Sequence, residues 1–361
     1  MACGIVGLPN VGKSTLFNAM TRSSVVAENY PFATIDPNVG IVPVPDPRLE
    51  VLGDIFSSKQ IVPATTTFID IAGLVRGASE GEGLGNAFLS HIREVDAVAM
   101  VVRCFEAHNV IHVEGAPDPL RDVDILTTEL ALADLATVER RLEKSRPRAK
   151  AEPKLLEEVA ALERIAAALN EGKPARIFAA DSRATSLAKE LSLLTAKPLL
   201  YVANIDESDK AALSNGVAQL QERARTEGSE VVALSAKLEA ELSALSPADA
   251  EAFARELGIA TRGLDRLVLA GYRLLRLMTF LTAGEKETRA WTITQGTKAP
   301  EAAGKIHSDI ERGFIRAEIA SFEDLQRLRS LAAVREAGLL RSEGRDYVMR
   351  EGDVVNFRFN V

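Results

Sequence analysis

The run Gly7-Leu8-Pro9-Asn10-Val11-Gly12-Lys13-Ser14 matches the phosphate-binding loop pattern in full. A polyphosphate carries several negative charges and needs many donors directed inward. Glycine lets the backbone wrap until its N–H groups line a nest. A helix N-terminus behind the nest adds partial positive charge. Lys13 is placed to reach the β- and γ-phosphates, and Ser14 to ligate Mg²⁺. The apolar run 4–8 reads as a strand and residues 13–20 as a helix, which is the context that this pattern requires.

Hydrolysis asks for more. Asp70-Ile71-Ala72-Gly73 follows the apolar run 66–69. An acidic residue at a strand end holds Mg²⁺ through water, and the Gly73 N–H can meet the γ-phosphate. Leu74 comes next, where many GTPases carry a water-orienting glutamine, so water has to be positioned by backbone, another loop or a partner. Within residues 29–38, the Thr34 hydroxyl can complete the Mg²⁺ shell. Residues 76–85 hold four glycines in ten and read as a switch that orders around the γ-phosphate. His112 is expected to position or activate the attacking water. The stretch 103–115 leaves the strand 97–102 at the ligand edge, and imidazole accepts a proton near neutral pH. The alternatives are His108 in that role, or His112 as an ordinary surface histidine.

Asn204-Ile205-Asp206-Glu207 closes the apolar run 199–203, where GTPases place Asn-Lys-x-Asp. That pattern reads guanine by giving its N1–H and N2–H₂ two carboxylate oxygens at a fixed reach. Here Glu207 adds a methylene at the aspartate position, and Ile205 replaces the lysine whose stem packs over the base. The guanine reader is damaged, so ATP is expected to bind at least as well as GTP. Asn204 can still hold loops together or meet the base. Ser235-Ala236-Lys237, after the run 231–234, matches the last base-contacting loop of such folds.

These residues have to be delivered to one edge of a sheet. The runs 4–8, 66–71, 97–102, 199–203 and 231–234 are short, apolar and followed by polar or Gly-rich residues, with helical patterns between them. The fold class is therefore α/β, a mostly parallel, doubly wound sheet whose ligands bind at the C-terminal strand ends. Within 124–173, Leu135, Val138 and Leu142, then Leu155, Val159, Leu162 and Leu169, recur at helical spacing, and Pro147 and Pro153 interrupt between them. Two antiparallel helices forming an inserted hairpin are predicted. The tip carries Arg140, Arg141, Lys144, Arg146, Arg148, Lys150 and Lys154, either a solvated end or a contact for RNA phosphates. From about Met278 a small mixed α/β domain follows. Trp291-Thr292-Ile293-Thr294 reads as a strand, 321–331 as a helix opened by Ser321, and 346–349 and 354–361 as strands around the turn Glu351-Gly352-Asp353. The boundaries drawn are 1–123, 124–195, 196–277 and 278–361.

Composition agrees with a globular protein of ample core, 47% hydrophobic and 26% charged over 361 residues. A net charge of −8 excludes a body that is basic throughout. No apolar run reaches the length of a membrane span, and the chain opens directly into a strand with no basic leader, so a cytoplasmic protein is expected. Cys3 and Cys104 lie in or beside apolar runs and are expected to be reduced and buried. The four histidines share no metal-ligand spacing with cysteine.

Taken together, residues 7–14, 29–38, 70–74, the variant 204–207, the helical insertion and the ending 352–361 resemble the YchF/Obg-like ATPase family of P-loop proteins, over nearly the whole chain. The resemblance implies a G domain, a helical hairpin inserted in it, and a C-terminal ubiquitin-like (β-grasp) TGS domain. It also implies ATP hydrolysis with Mg²⁺ and association with ribosomes. The family's nucleotide-binding run carries over to Asn10, Val11, Gly12, Lys13, Ser14 and Thr15, and its metal ligands to Ser14 and Thr34. The partners implied are ATP, with GTP weaker or comparable, and the ribosome, with its large subunit a candidate. RNA contact through the hairpin and the TGS domain is a further candidate, and no membrane is implied. Two other readings stay open: an Obg-type GTPase in which Glu207 still reads guanine, and a nucleotide-stabilised RNA- or protein-binding adaptor whose hydrolysis is incidental.

Overall fold

In the computed structural model the described residues are 1–22, 38–73, 84–105, 117–206 and 210–360, without the side chains of 84–86 and 210–214. The elements run β1 (Ala2–Gly7), α1 (Lys13–Arg22), β2 (Val39–Pro43), α2 (Arg48–Phe56), β3 (Ile61–Val62), β4 (Thr65–Asp70), α3 (Leu84–Glu94), β5 (Ala97–Arg103), α4 (Pro119–Ala149), α5 (Leu156–Asn170), α6 (Ser182–Glu190), β6 (Leu199–Asn204), α7 (Lys210–Glu227), β7 (Glu230–Leu234), α8 (Ala236–Leu242), α9 (Pro247–Glu256) and α10 (Gly263–Leu274). They continue with β8 (Leu277–Ala283), β9 (Thr288–Thr294), α11 (Ala299–Ile306), α12 (Ser308–Arg312), β10 (Phe314–Ala320), α13 (Phe322–Leu328), α14 (Leu331–Glu336), β11 (Arg341–Glu343) and β12 (Val354–Phe359).

The chain divides into two units, Met1–Ile41 with Thr67–Gly271, and Val42–Thr66 with Tyr272–Val361. The first sheet has the order β2-β4-β1-β5-β6-β7. Its pairs β1/β4, β1/β5, β5/β6 and β6/β7 are all parallel. Every residue of β5 and β6 is buried, as expected of strands covered on both faces. All five strands expected from apolar runs are present, so the doubly wound α/β class holds. Cys3 and Cys104 are free and buried, and burial pushes both thiols up to about 12, which keeps them protonated and unreactive near neutral pH.

The hairpin is one long helix returning through a shorter one. Asp118 caps α4 by accepting from the Arg121 N–H at 3.1 Å, and Pro119 takes the first turn, where its missing N–H costs nothing. Pro147 was expected to break the helix. It lies inside α4 instead, where the helix has only its last turn left to lose. The return begins at Pro153 through the short turn Pro153–Leu155. Val138, Leu142, Leu162, Ile165 and Leu169 interlock in the core between α4 and α5. Further toward the sheet, the buried Asp134 carboxylate accepts from Leu194 N, Thr195 N and the Thr195 hydroxyl at 2.7–2.8 Å. It fixes the turn that enters β6.

The second unit holds a mixed sheet of order β11-β10-β12-β8-β9-β3. β8 and β9 form an antiparallel hairpin, β12 runs parallel to β8, and β10 is antiparallel to β12. With α11 packed on it, this is the β-grasp arrangement. β3 extends the edge by pairing parallel to β9, so a segment near position 60 completes a sheet built mostly from residues after 276. The expected strand 346–349 is absent. A single bridge joins Val348 to Lys298, made by Ala299 N donating to Tyr347 O and Met349 N to Thr297 O, and the pairing goes no further. Ser321 opens α13 as expected, accepting from Asp324 N at 3.1 Å.

Glu158 joins the hairpin helices. Its carboxylate accepts from Arg141 Nε at 2.9 Å, Ser145 Oγ at 2.9 Å and Arg183 Nη2 at 3.1 Å. The Arg141 bond holds its pKa below the ordinary 4.5. A depressed folded pKa gives stability that is present above the unfolded value and lost as pH falls through the folded one. Glu158→Gln should therefore lower stability by about 2 kcal/mol at neutral pH, with the gap to the parent shrinking as the pH drops below 4.5. Urea midpoints of both proteins across a pH series measure it, and a gap that stays constant into acid contradicts it.

Candidate nucleotide-binding site

Strands β1, β4, β5, β6 and β7 all end on one edge, at Gly7, Asp70, Arg103, Asn204 and Leu234. The loop 8–12 follows β1 there, where the strand order reverses direction about β1. Two of its residues take positive φ, Asn10 at 65° and Gly12 at 92°. The chain then enters α1, whose first turn closes with Leu16 N donating to Gly12 O at 3.0 Å. Leu16, Phe17 and Met20 anchor the helix in the core, while Ser14 and Thr15 are exposed on its first turn.

Lys13 is nearly buried and its ammonium pairs with the Asp70 carboxylate. The two sequence-predicted phosphate and metal residues are thus brought together. Asp70 is itself set by its N–H donating to Asn38 O at 2.8 Å. Gly73 lies beside the loop. A Cβ there would be 3.5 Å from Gly7 O and 3.6 Å from Pro9 N.

Asn204 decides the other wall. Its Nδ2 donates to Val11 O at 2.8 Å, and its Oδ1 accepts from Ala236 N at 2.9 Å. One buried carboxamide therefore bridges the phosphate loop to the start of α8. Ser235 caps that helix, accepting from Leu238 N at 3.2 Å. Ile205 is half-buried and its N–H donates to Leu234 O at 3.0 Å, holding the loops after β6 and β7 in register. Of the two roles open to Asn204, the bracing of loops is present.

Arg103 was not singled out as a site residue. Among the described residues it is the largest fully buried side chain, level with Asn204 in the strand register, with Nε donating to Phe105 O at 3.1 Å and the guanidinium over the Phe105 ring. Burial lowers its pKa, and the buried Asp122 opposes that. A lone arginine closing an otherwise apolar strand was the available signal. Thr34, Leu74, His108, His112, Glu207 and the glycine-rich stretch through residue 83 lie outside the described residues.

The basic tip is partly neutralised. Arg141 pairs with Glu158 and Glu190, Arg146 with Glu163 and Arg148 with Glu152, while Arg140, Lys144, Lys150 and Lys154 are exposed. In the second unit Arg316 and Arg358 share Glu318, and Arg312 meets Asp309. Trp291 stacks on Phe280, and Phe357 is buried, so these aromatics belong to the core.

Known proteins agree with this architecture. Residues 2–138 match the MMR_HSR1 family, described as 50S ribosome-binding GTPase. Residues 277–360 match YchF-GTPase_C, described as a protein of unknown function (DUF933). The ribosome-binding ATPase YchF of Bacillus subtilis (strain 168) is 50% identical, covering 100% of both chains, and that of Escherichia coli O157:H7 is 49% identical over 99% of each. The chain belongs to the YchF family of P-loop nucleotide hydrolases. A solved YchF structure, the Schizosaccharomyces pombe YchF GTPase, superposes with a TM-score of 0.87 at 40% identity, covering 99% of this chain and 97% of that one. Within this YchF-family site, Gly12 has no room for a side chain. A Cβ would come to 2.2 Å from Asn204 Nδ2, at a φ that L residues rarely adopt. Gly12→Ala should weaken nucleotide binding at least tenfold, about 1.4 kcal/mol, while far-UV circular dichroism stays unchanged. A titration with a fluorescent ATP analogue measures it, and parental affinity contradicts it.

Proposed function

We propose that the chain is a Mg²⁺-dependent ATPase that acts as a nucleotide-state switch on ribosomes. The observation that carries the nucleotide preference is the run that closes β6. Asn204 braces the loops with one N–H and one lone pair and keeps a second of each for the base, while Ile205 and Glu207 offer neither the lysine stem nor the aspartate reach that guanine uses. The base would sit between this loop and that of Ser235 and Ala236. Asn10, Val11, Gly12, Lys13, Ser14 and Thr15 would take the phosphates. Binding exchanges the Lys13–Asp70 pair for a lysine–phosphate contact and frees the Asp70 carboxylate.

The donors suit a hard cation. Ser14 is exposed and follows Lys13, the partner of Asp70, and hydroxyl and carboxylate oxygens are what Mg²⁺ takes. Ser14 and Thr34 would hold the ion, with Asp70 behind. When bound it neutralises charge on the β- and γ-phosphate oxygens. Lys13 stabilises charge on the transferred group, the Gly73 N–H is the candidate contact to its oxygen, and His112 orients the attacking water in place of the glutamine that Leu74 lacks. A slow site of this kind suits a switch completed by a partner.

The domain assignment that goes with this is a nucleotide-binding domain over 1–123 and 196–277, a hairpin over 124–195 and a TGS domain over 278–361. The segment 42–66 belongs structurally with the last. The relatives named as ribosome-binding support the ribosome as partner, and the large subunit is the side proposed. The exposed hairpin cations and TGS domain are the proposed RNA contacts. A cytoplasmic location goes with this reading; no described helix is long and apolar enough to cross a membrane.

Titration of ATP and GTP against the full chain with Mg²⁺ tests the central part. ATP should bind at least as tightly as GTP. A tenfold preference for GTP, about 1.4 kcal/mol, would return the chain to the Obg-type reading. In the same assay, ribosomes should pellet the chain to different extents with an ATP analogue and with ADP. Equal pelleting in both states removes the switch.

A further inference from the structure

The second unit contains a cavity of about 640 Å³ that no nucleotide role accounts for. It lies at a discontinuity in the β-grasp sheet. Val354 of β12 stands opposite Leu281 of β8. β8 stops at Ala283, level with Asn356, while β12 runs on through Phe359. The chain leaving β8 turns through residues 284–287, and these line the cavity together with Phe357 and Phe359.

The β12 backbone faces the gap. Leu281 N donates to Asp353 O at 2.8 Å, so the peptide groups of Asp353 point toward β8. Peptide groups on one edge of a strand recur at every second residue, which directs those of Phe357 and Phe359 into the space that β8 no longer fills.

The cavity also reaches both faces of the sheet. Ile306 and Ile310 border it from the side of the α11 core, to which they pack. Phe56, Leu331 and Leu340 border it as well and lie outside that core. A flat ligand would use one face. A β-strand sends alternate side chains to opposite faces, and so fits a slot with apolar walls on both. Glu287 pairs with Arg289 and Glu285 offsets Lys286 in the lining, so the cavity offers no net positive charge to nucleic acid.

We propose that this slot takes an extended peptide segment from a protein partner, added as a strand beside Phe357 and Phe359 with apolar side chains toward both faces. Main-chain pairing supplies affinity in such complexes, and pockets for alternate side chains supply selectivity. The reading is independent of the nucleotide assigned above.

An acetylated six-residue peptide of alternating valine and isoleucine, ending in lysine for solubility, serves as the probe against the full chain. Hydrogen exchange reports on residues 355–359 during the titration. Saturable binding with slowed exchange at Phe357 and Phe359 is expected. The same peptide with every second amide N-methylated should bind at least tenfold more weakly. Leu340→Glu, or Ile310→Glu should the first fail to fold, should also weaken the parent peptide at least tenfold while ATP affinity is unchanged. Absence of binding overturns the proposal. So does equal binding of the N-methylated peptide, which would make the slot an apolar pocket for small molecules. Preferential binding of a single-stranded RNA oligomer at the same residues overturns it in favour of nucleic acid.

Discussion

The Asn204 carboxamide is the interaction on which the site depends. A peptide N–H and a peptide C=O from loops remote in sequence are both buried at the end of the sheet, and each needs a partner there. An asparagine supplies a donor and an acceptor on one rigid plane. Val11 O takes the donor and Ala236 N gives to the acceptor, so the phosphate loop and the cap of α8 are fixed to one strand end. Gly12 follows from this, because the amide occupies the space in which a Cβ would sit. The positive φ at Gly12 follows too, since the loop has to turn under the amide to enter α1.

A second constraint is electrostatic. Lys13 enters the site nearly buried, and an ammonium taken from water needs compensation. Asp70 provides it at the end of β4. The pair keeps the lysine stem ordered at the position where phosphate charge arrives. Arg103 is handled in a similar way one strand over, with the Phe105 carbonyl and ring on one side and Asp122 on the other. The C-terminal edge of the sheet thus gathers several buried polar groups, each matched, at the ends of largely apolar strands.

Much of this was legible in the sequence. The central strands β5 and β6 are buried at every residue and appear as unbroken apolar runs. The loop around Gly12 carries its own spacing, and Ser321 and Asp324 mark a helix start by their separation. Other elements left weaker traces. β2 alternates buried and half-buried residues and contains Gly40 and Pro43, both poor strand signals. β8 follows α10 without a glycine or proline, because Arg276 makes the turn at a φ of 54°. The junction therefore reads as continuing helix. β3 is only Ile61–Val62, and its place beside β9 depends on pairing across more than two hundred residues, which no local pattern encodes. Pro147 misled because a proline near the end of a helix breaks little, and Asp346 to Met349 because their backbone pairing stops after one bridge.

The brace can be probed directly. In Asn204→Ala the Val11 carbonyl and the Ala236 N–H both lose their partner. The decisive measurement is ATP affinity of this variant at saturating Mg²⁺, with hydrogen exchange at the Ala236 amide followed in the same sample. The expected result is faster exchange at Ala236 together with binding weakened at least tenfold, about 1.4 kcal/mol. Affinity within twofold of the parent, with exchange at Ala236 accelerated, would contradict it and leave the two loops positioned by something other than Asn204.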